Sequence, residues 1–256
     1  SILIDLLAYN THYMGYYANR LGNEMFLDSS SLRESVVSHA KLLNVHPTSR
    51  RSAKAKINIL FTPDDNPTVL TIEKDTRFTS TIDGVSYTYT TNKATSVKPT
   101  ATGLYLASSV EICEGSILRK SYTVNGTDTS QRFIIPNPNV DTKTLSVTVQ
   151  KSSTNSEVTI FRDGNAIDVT TVNNKDNVYY LQEVEEKKYE ITFGDGVIGK
   201  PLEDGNVIFI EYMITSGISG NFASTFKAIG NVAGLDSSKY QLATVESATG
   251  GADYQS

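Results

Sequence analysis

The residues best placed to do chemistry form a glycine-rich run in the last third of the chain. Residues 193–201 read Phe-Gly-Asp-Gly-Val-Ile-Gly-Lys-Pro, which matches both G-x-G-x-x-G and G-x-x-x-x-G-K. Both nucleotide motifs need a helix directly after the loop, because its amides hold the phosphate. Here Pro201 replaces the Mg²⁺-binding Ser or Thr, and an acidic turn follows at once. The run therefore predicts a structural hairpin, with subunit contacts as a further role, made by Gly194, Asp195, Gly196 and Gly199.

Other side chains of catalytic or metal-binding type are not arranged as a site. The three histidines, His12, His39 and His46, lie near the N-terminus and form no zinc motif, and the sequence contains no G-x-S-x-G nucleophile motif. Cys113 is the single cysteine, which excludes a disulfide framework. The carboxylates of residues 183–190 lie in a mixed-charge stretch with Lys187 and Lys188, which is typical of a solvated strand end rather than a glycosidase pair. We predict no catalytic, cofactor-binding or metal-binding residue and no enzymatic activity.

Composition limits the class of protein. With 256 residues, 39% hydrophobic and 20% charged, the chain can bury a sizeable core and is neither disordered nor membrane-spanning. Residues 1–60 carry seven Lys and Arg against four Asp and Glu, a net +3, and the remainder carries −8. The overall charge of −5 argues against nucleic acid as the main partner. The start lacks an initiator Met and a basic signal region, so we expect a piece of a longer chain.

The first part of the chain predicts a helical hairpin. Between Leu3 and Phe26 there is no proline, and apolar residues recur near heptad spacing. A second set, Leu6, Tyr9, Tyr13, Tyr16 and Tyr17, widens this stripe, so the helix must be covered on more than one side. Two interpretations fit this wide stripe: the helix is buried within its own domain, or it is shared with partner subunits. Little chain precedes the helix to cover it, which favours a subunit interface made by Leu3, Leu7, Met14, Tyr17, Leu21 and Met25.

The second helix of this hairpin has sequence signals at both ends. Ser31 and Glu34 have the spacing of a capping box, and apolar residues including Val37 follow on one face. Asn44 is the expected C-cap, and Pro47 prevents continuation of the helix.

After residue 51 the periodicity changes from helical to two. Many short runs of Thr, Val, Ile and Tyr lie between turn signals such as Asp83-Gly84, with no alternation of strands and helices. This pattern predicts an α+β, mainly β fold, with an antiparallel, sandwich-like or barrel-like body. Residues 98–177 are richer in Ser, Thr and Asn. We therefore predict a head at 1–48, a β core at 49–97 and 178–256, and an inserted or peripheral β lobe at 98–177.

Several short segments, in their order and spacing, resemble the baseplate J-like family, which includes wedge proteins of contractile-tailed, T-even-type phages. The resemblance covers nearly the whole chain and is loosest in its middle. The matching segments are Leu6–Thr11, Asn23–Leu27, Ser31–Val36, Val140-Asp141, Leu145–Val149, Tyr189–Gly196, Pro201 with Gly205-Asn206, Thr215–Gly217 with Gly220-Asn221, and Gly250–Asp253.

The resemblance implies a structural wedge component of a phage tail baseplate. Such wedges dimerise, join into a ring around the tail hub and rearrange on contraction, and the N-terminal helices resemble the part that bundles with a neighbouring subunit. The implied partners are a second copy and other wedge and sheath-initiating proteins. The implied location is the virion, assembled in the host cytoplasm. Nucleic acid, membrane insertion, a cofactor and a small-molecule substrate are not expected.

A second function stays open at the level of sequence. A tail-associated β-sandwich module could instead bind host surface glycans, usually through an exposed aromatic platform. The absence of tryptophan weakens this alternative, and the fourteen tyrosines support it.

Overall fold

The computed structural model describes residues 2–43, 48–100, 103–128 and 130–254. Two helices come first, α1 (Ile2–Glu24) and α2 (Arg33–Leu42). The predicted C-cap Asn44, as well as His46 and Pro47, lies outside the described residues. The strands are β1 (Lys54–Phe61), β2 (Leu70–Ile72), β3 (Arg77–Ile82), β4 (Val85–Thr91), β5 (Thr95–Val97), β6 (Tyr105–Glu114), β7 (Ser116–Thr123), β8 (Phe133–Ile135), β9 (Val140–Gln150), β10 (Val158–Asp163), β11 (Val178–Glu183), β12 (Tyr189–Phe193), β13 (Val207–Ile214), β14 (Lys227–Ala228) and β15 (Tyr240–Thr249).

The first sheet is six-stranded, in the order β14-β3-β4-β6-β1-β15. Its strands alternate in burial because one face packs on a core and the other meets solvent. On β1, for example, Ile57, Ile59 and Phe61 are fully buried. The small β2–β5 sheet adds Leu70 and Ile72 to this core.

The second sheet is seven-stranded, in the order β7-β13-β9-β10-β11-β12-β8, and curls around its own core. Its two edge strands approach each other, where the Tyr122 hydroxyl on β7 donates to the Ile134 carbonyl on β8 (2.5 Å) and the Tyr122 ring meets Phe133. The sheet is therefore nearly closed, like a barrel. All strand pairs are antiparallel except β10 with β11, which run parallel over two residue pairs.

The chain passes from the first sheet to the second at Gly115. This residue has a φ of 129°, and a Cβ there would overlap the Ile214 carbonyl oxygen. Only glycine fits such a conformation with backbone so close. The joint is polar: the buried Glu114 carboxylate accepts from the Thr215 hydroxyl (2.6 Å), and buried Asp141 accepts from the Ser52 amide (2.8 Å).

The predicted fold class is confirmed: the chain is α+β and mainly β, with an N-terminal helical pair and a barrel-like, largely antiparallel body. The predicted division into domains stays a prediction. Strand pairing groups the chain differently, because β6 belongs to the first sheet, whereas β7 to β13 make up the whole of the second.

One local prediction in the head was wrong. The predicted capping box of Ser31 and Glu34 does not form, since the N-cap of α2 is Leu32 and no side chain caps it. The Glu24 side chain, at the end of α1, accepts from the Ser31 and Leu32 amides instead.

Candidate functional site

The candidate site is the surface of α1, which projects from the body. None of its described residues is buried, although the helix is 23 residues long and rich in Leu, Ile, Met and Tyr. The side chains of the predicted interface are all exposed, from 52% at Tyr17 to 78% at Leu3. A monomer rarely leaves such a continuous apolar surface in water. The structure thus places five of the six predicted residues on one open helix and Met25 in the turn directly after it, and their interface role stays a prediction.

The tyrosines of α1 form a second apolar strip beside the Leu and Met residues. Tyr9 and Tyr13 have ring centroids 4.9 Å apart, and Tyr13 and Tyr17 have centroids 5.7 Å apart. Their spacing of four residues places them one turn apart on the same side of the helix. The rings therefore present one aromatic ridge, which widens the apolar surface beyond a single face.

Glu24 holds the corner between α1 and α2. Its carboxylate accepts from the Ser31 hydroxyl (2.7 Å) and amide (3.0 Å), and its carbonyl oxygen lies 3.0 Å from Nε2 of His39 on α2. Hydrogen bonds from the side chains of Ser35 and Ser31 lower the pKa of the Glu24 carboxyl to about 2. The corner therefore depends on an ionised glutamate.

Protonation of Glu24 is expected to loosen this corner. Because the folded pKa of about 2 lies below the ordinary 4.5, the stabilisation is complete above pH 4.5 and is lost as the pH falls through about 2. An NMR titration of the Glu24 carboxyl carbon, with hydrogen exchange of the Ser31 amide, measures both effects. Glu24→Gln should lower protection of that amide already at neutral pH. A Glu24 titration midpoint near 4.5 would contradict the expectation.

The second helix attaches the head to the barrel through one ion pair. Nε and Nη2 of Arg33 donate to the two carboxylate oxygens of Glu183 on β11, at 2.8 and 2.9 Å. The Glu183 side chain is only 3% exposed, so this pair is largely shielded from water. The hydrogen bond to Glu183 raises the pKa of Arg33. Lys41 donates to the Glu183 carbonyl oxygen (2.5 Å), and Val37 is the one buried residue among the described residues of α2.

Tyr254 extends this attachment to the C-terminal segment. The guanidinium of Arg33 lies 4.9 Å from the centroid of its ring, that of Arg50 lies 5.5 Å away, and the Lys187 ammonium lies 5.1 Å away. A cation over a tyrosine ring is attracted by the negative face of the ring. α2, the segment before β1 and the C-terminal segment thus meet at the Tyr254 ring. This contact was not predicted from the sequence.

The glycine-rich run forms a closed loop between β12 and β13, which are not neighbours in the second sheet, so the loop does not join paired strands. The Asp195 carboxylate accepts from the amides of Val197 (2.9 Å) and Ile198 (3.0 Å), which lowers its pKa, and the Gly196 amide donates to the Gly199 carbonyl (3.1 Å). A loop without a following helix has no helix N-terminus to hold a phosphate. A role of this loop in subunit contacts stays a prediction.

The remaining candidates for chemistry are engaged in structure. Glu190 accepts two hydrogen bonds from Arg132, at 2.8 and 2.9 Å, so the two strand carboxylates Glu183 and Glu190 each have an arginine partner. Burial raises the pKa of the Cys113 thiol to about 11, which leaves it protonated at neutral pH. No three His, Cys, Asp or Glu residues of the described chain lie together as a metal site would require. Neither helix, as far as it is described, is long and apolar enough to cross a membrane.

Comparison with known proteins finds a distant sequence relative. The chain is similar to the baseplate wedge protein gp6 of Enterobacteria phage T4, with 24% identity over 245 residues. The match covers 88% of this chain and 35% of the T4 protein, so the chain spans about a third of the length of that relative. No protein-family model matches the chain.

Proposed function

We propose that the chain is a structural wedge component of a contractile phage tail baseplate and joins neighbouring subunits through α1. The exposure of α1 carries the proposal, because a long apolar helix that its own chain leaves uncovered requires a partner. The similarity to a baseplate wedge protein of phage T4 supports the same role.

The apolar surface of α1 is large enough to contribute substantially to an assembly interface. Burying one large apolar side chain contributes roughly 1.5–3 kcal/mol. The six predicted interface residues would together contribute on the order of 10 kcal/mol, before the costs of association are subtracted. Since the tyrosine ridge lies beside the Leu and Met stripe, one partner helix would cover only part of the surface. A bundle with at least two neighbouring helices would cover both.

The resemblance to baseplate wedges supplies the finer parts of the proposal. We infer a second copy as one partner, and other wedge and sheath-initiating proteins as further partners, in a ring around the tail hub. The chain would then reside in the virion after assembly in the host cytoplasm. In this role the fold bears mechanical load and provides surfaces for subunit contacts, and no catalytic step is needed.

The positions of the tyrosines favour assembly over glycan binding. The exposed tyrosines of the described residues are Tyr9, Tyr13, Tyr16 and Tyr17, and all four lie on α1. Tyr9, Tyr13 and Tyr17 contact one another along the helix with tilted rings, so they form one continuous aromatic ridge. A sugar-binding platform on the β body would need exposed tyrosines on its strands.

Removal of residues 1–27 is expected to convert an assembled form of this chain into a folded monomer. The measurement is the solution mass by light scattering, with thermal unfolding as a check that the β body remains folded. Leu7→Glu with Leu21→Glu should have the same effect, because two charges would enter the apolar stripe. Asn19→Glu places a charge on the opposite, polar side of α1 and serves as the control.

Two results would contradict the proposal. A chain that is a strict monomer, and whose β body unfolds when residues 1–27 are removed, would make α1 part of an ordinary core. Equal dissociation by Asn19→Glu and by the leucine variants would make the effect one of charge alone.

A further inference from the structure

The two long edge strands of the sheets carry features that oppose the addition of another strand. In β15 the register against β1 shifts twice, and the amide of Phe222 covers the Ala248 carbonyl at one end. In β7 two adjacent cations, Arg119 and Lys120, lie on the edge. Bulges and edge charges are common means of preventing unwanted strand pairing.

Within the second sheet, β10 leaves part of its backbone open. Residues 158–161 pair with β9 on one side, and the Lys151 amide donates to the Glu157 carbonyl on that side. On the other side, β10 meets β11 only at its end, where the Arg162 amide donates to the Asn177 carbonyl. The backbone N–H and C=O groups of successive residues point to opposite sides of a strand. Those of Val158 and Ile160 therefore point away from β9, to the same side as those of Arg162. They have no hydrogen-bond partner in the described parts of the chain.

An open groove of about 300 Å³ lies beside this free edge. Its apolar lining comes from Ile160, Ile167, Val172 and Val178. The Ile160 side chain is 70% exposed, although β-branched residues on strands usually pack against a neighbour. The groove thus offers unpaired backbone and an apolar recess side by side.

The charges at the groove define the chemistry of its occupant. Arg162 and Lys175 line it, and neither has an ion-pair partner in the part of the chain that the structure describes. The one carboxylate in the lining, that of Asp176, accepts from the Asn173 amide (2.8 Å). An incoming segment with a carboxylate would complement the two cations.

We propose that the free edge of β10 binds an extended segment of a partner protein by strand addition. The segment pairs its backbone with Val158 and Ile160, inserts an apolar side chain into the groove, and places a carboxylate against Arg162 and Lys175. Main-chain hydrogen bonds provide affinity in this mode, and the groove provides selectivity. The site does not involve α1, so it does not depend on the proposed function of the head.

Two hexapeptides that alternate Val with Glu or Val with Lys test the proposal on the complete chain. The Val/Glu peptide is expected to slow hydrogen exchange of the Val158 and Ile160 amides at least about tenfold at saturation. The Val/Lys peptide should bind at least about tenfold more weakly, because Arg162 and Lys175 repel it. Arg162→Glu should reverse this preference, whereas Arg119→Glu on β7 is the matched charge change elsewhere and should leave it unaltered.

A backbone variant separates strand addition from simple charge attraction. Ile160→Pro removes an amide that faces away from β9, so the chain should stay folded and lose peptide binding. Lack of protection at Val158 and Ile160, equal binding of both peptides, or protection at β15 instead would each overturn the proposal. Unchanged binding by a folded Ile160→Pro chain would do the same.

Discussion

Arg33→Met is expected to release α2 from the barrel, at a cost of about 3 kcal/mol in the free energy that holds the helix in place. The Glu183 carboxylate is 3% exposed, and both its oxygens accept hydrogen bonds from Arg33. Removing the arginine leaves a shielded negative charge without its partner, which costs far more than a surface ion pair contributes. The nearby Lys41 bonds to the carbonyl oxygen of Glu183 and cannot replace the lost bonds to the carboxylate.

Hydrogen exchange of the α2 amides, with that of β1 as an internal reference, measures this release. Arg132→Met is a matched control: Arg132 makes the same pair of bonds to Glu190, but its side chain is 54% exposed. It should cost much less than Arg33→Met, because water screens an exposed ion pair. Glu183→Gln combined with Arg33→Met should recover much of the loss, because no unpaired charge remains. Equal costs for Arg33→Met and Arg132→Met would show that shielding does not matter here.

The attachment of the head to the barrel has a consequence for assembly. If α1 is held by neighbouring subunits, α2 and Arg33 connect those neighbours to the second sheet. Weakening the Arg33–Glu183 pair should then leave the subunits associated while their β bodies become free to reorient. Assembly and orientation would thus depend on different parts of the head, α1 for the first and α2 for the second.

Local patterns in the sequence are sufficient to indicate strands such as β1 and the hairpin of β3 and β4. The alternation around Ile57, Ile59 and Phe61 appears as alternating burial in β1. Asp83 and Gly84 both have positive φ, 49° and 81°, as a tight hairpin turn between β3 and β4 requires. These features depend on neighbouring residues alone, and for that reason a single sequence suffices to predict them.

Strands that depend on distant partners could not be predicted. β15 reads Tyr-Gln-Leu-Ala-Thr-Val-Glu-Ser-Ala-Thr, where Ala, Ser, Gln and Glu weaken the strand signal. It is a strand because it pairs with β1, as in the pair Ile59 and Leu242. The Ser31 and Glu34 capping box failed for a similar reason. The Ser31 amide, which Glu34 would accept from in a capping box, donates to Glu24 instead. This bond crosses the corner between α1 and α2, and local spacing does not predict the geometry of that corner.

The residues of the candidate site could be predicted from the sequence, but the contacts that attach its helical hairpin to the barrel could not. Spacing placed Leu7, Met14 and Leu21 on one stripe, and the described residues of the chain do not cover them. The attachment of the hairpin was not predictable, because Arg33 and Glu183 are 150 residues apart and no local spacing pattern connects them. Pairs of this kind become visible only when the topology is known.

Gly194→Ala is expected to lower the free energy of unfolding of the barrel by about 3 kcal/mol. A Cβ at this position would overlap the Cα and carbonyl group of Gly199, which belong to backbone and cannot rotate away. The loop cannot open easily either, because the Gly199 amide also donates to the Asn173 carbonyl (3.1 Å). A shift of the Gly194 backbone would therefore displace Phe193, the residue before it. The Phe193 ring contacts Phe133 and Phe161 in the barrel.

Urea denaturation of the chain measures this loss, with Gly22→Ala as the control. At Gly22, in α1, an added Cβ would meet nothing within 4 Å. Alanine there should leave the barrel unchanged and should favour the helix by about 1 kcal/mol. A Gly194→Ala chain that unfolds at the same urea concentration as the wild type would show that the loop can separate from Gly199 without cost. The glycine at this position would then have to be explained by a subunit contact rather than by the fold.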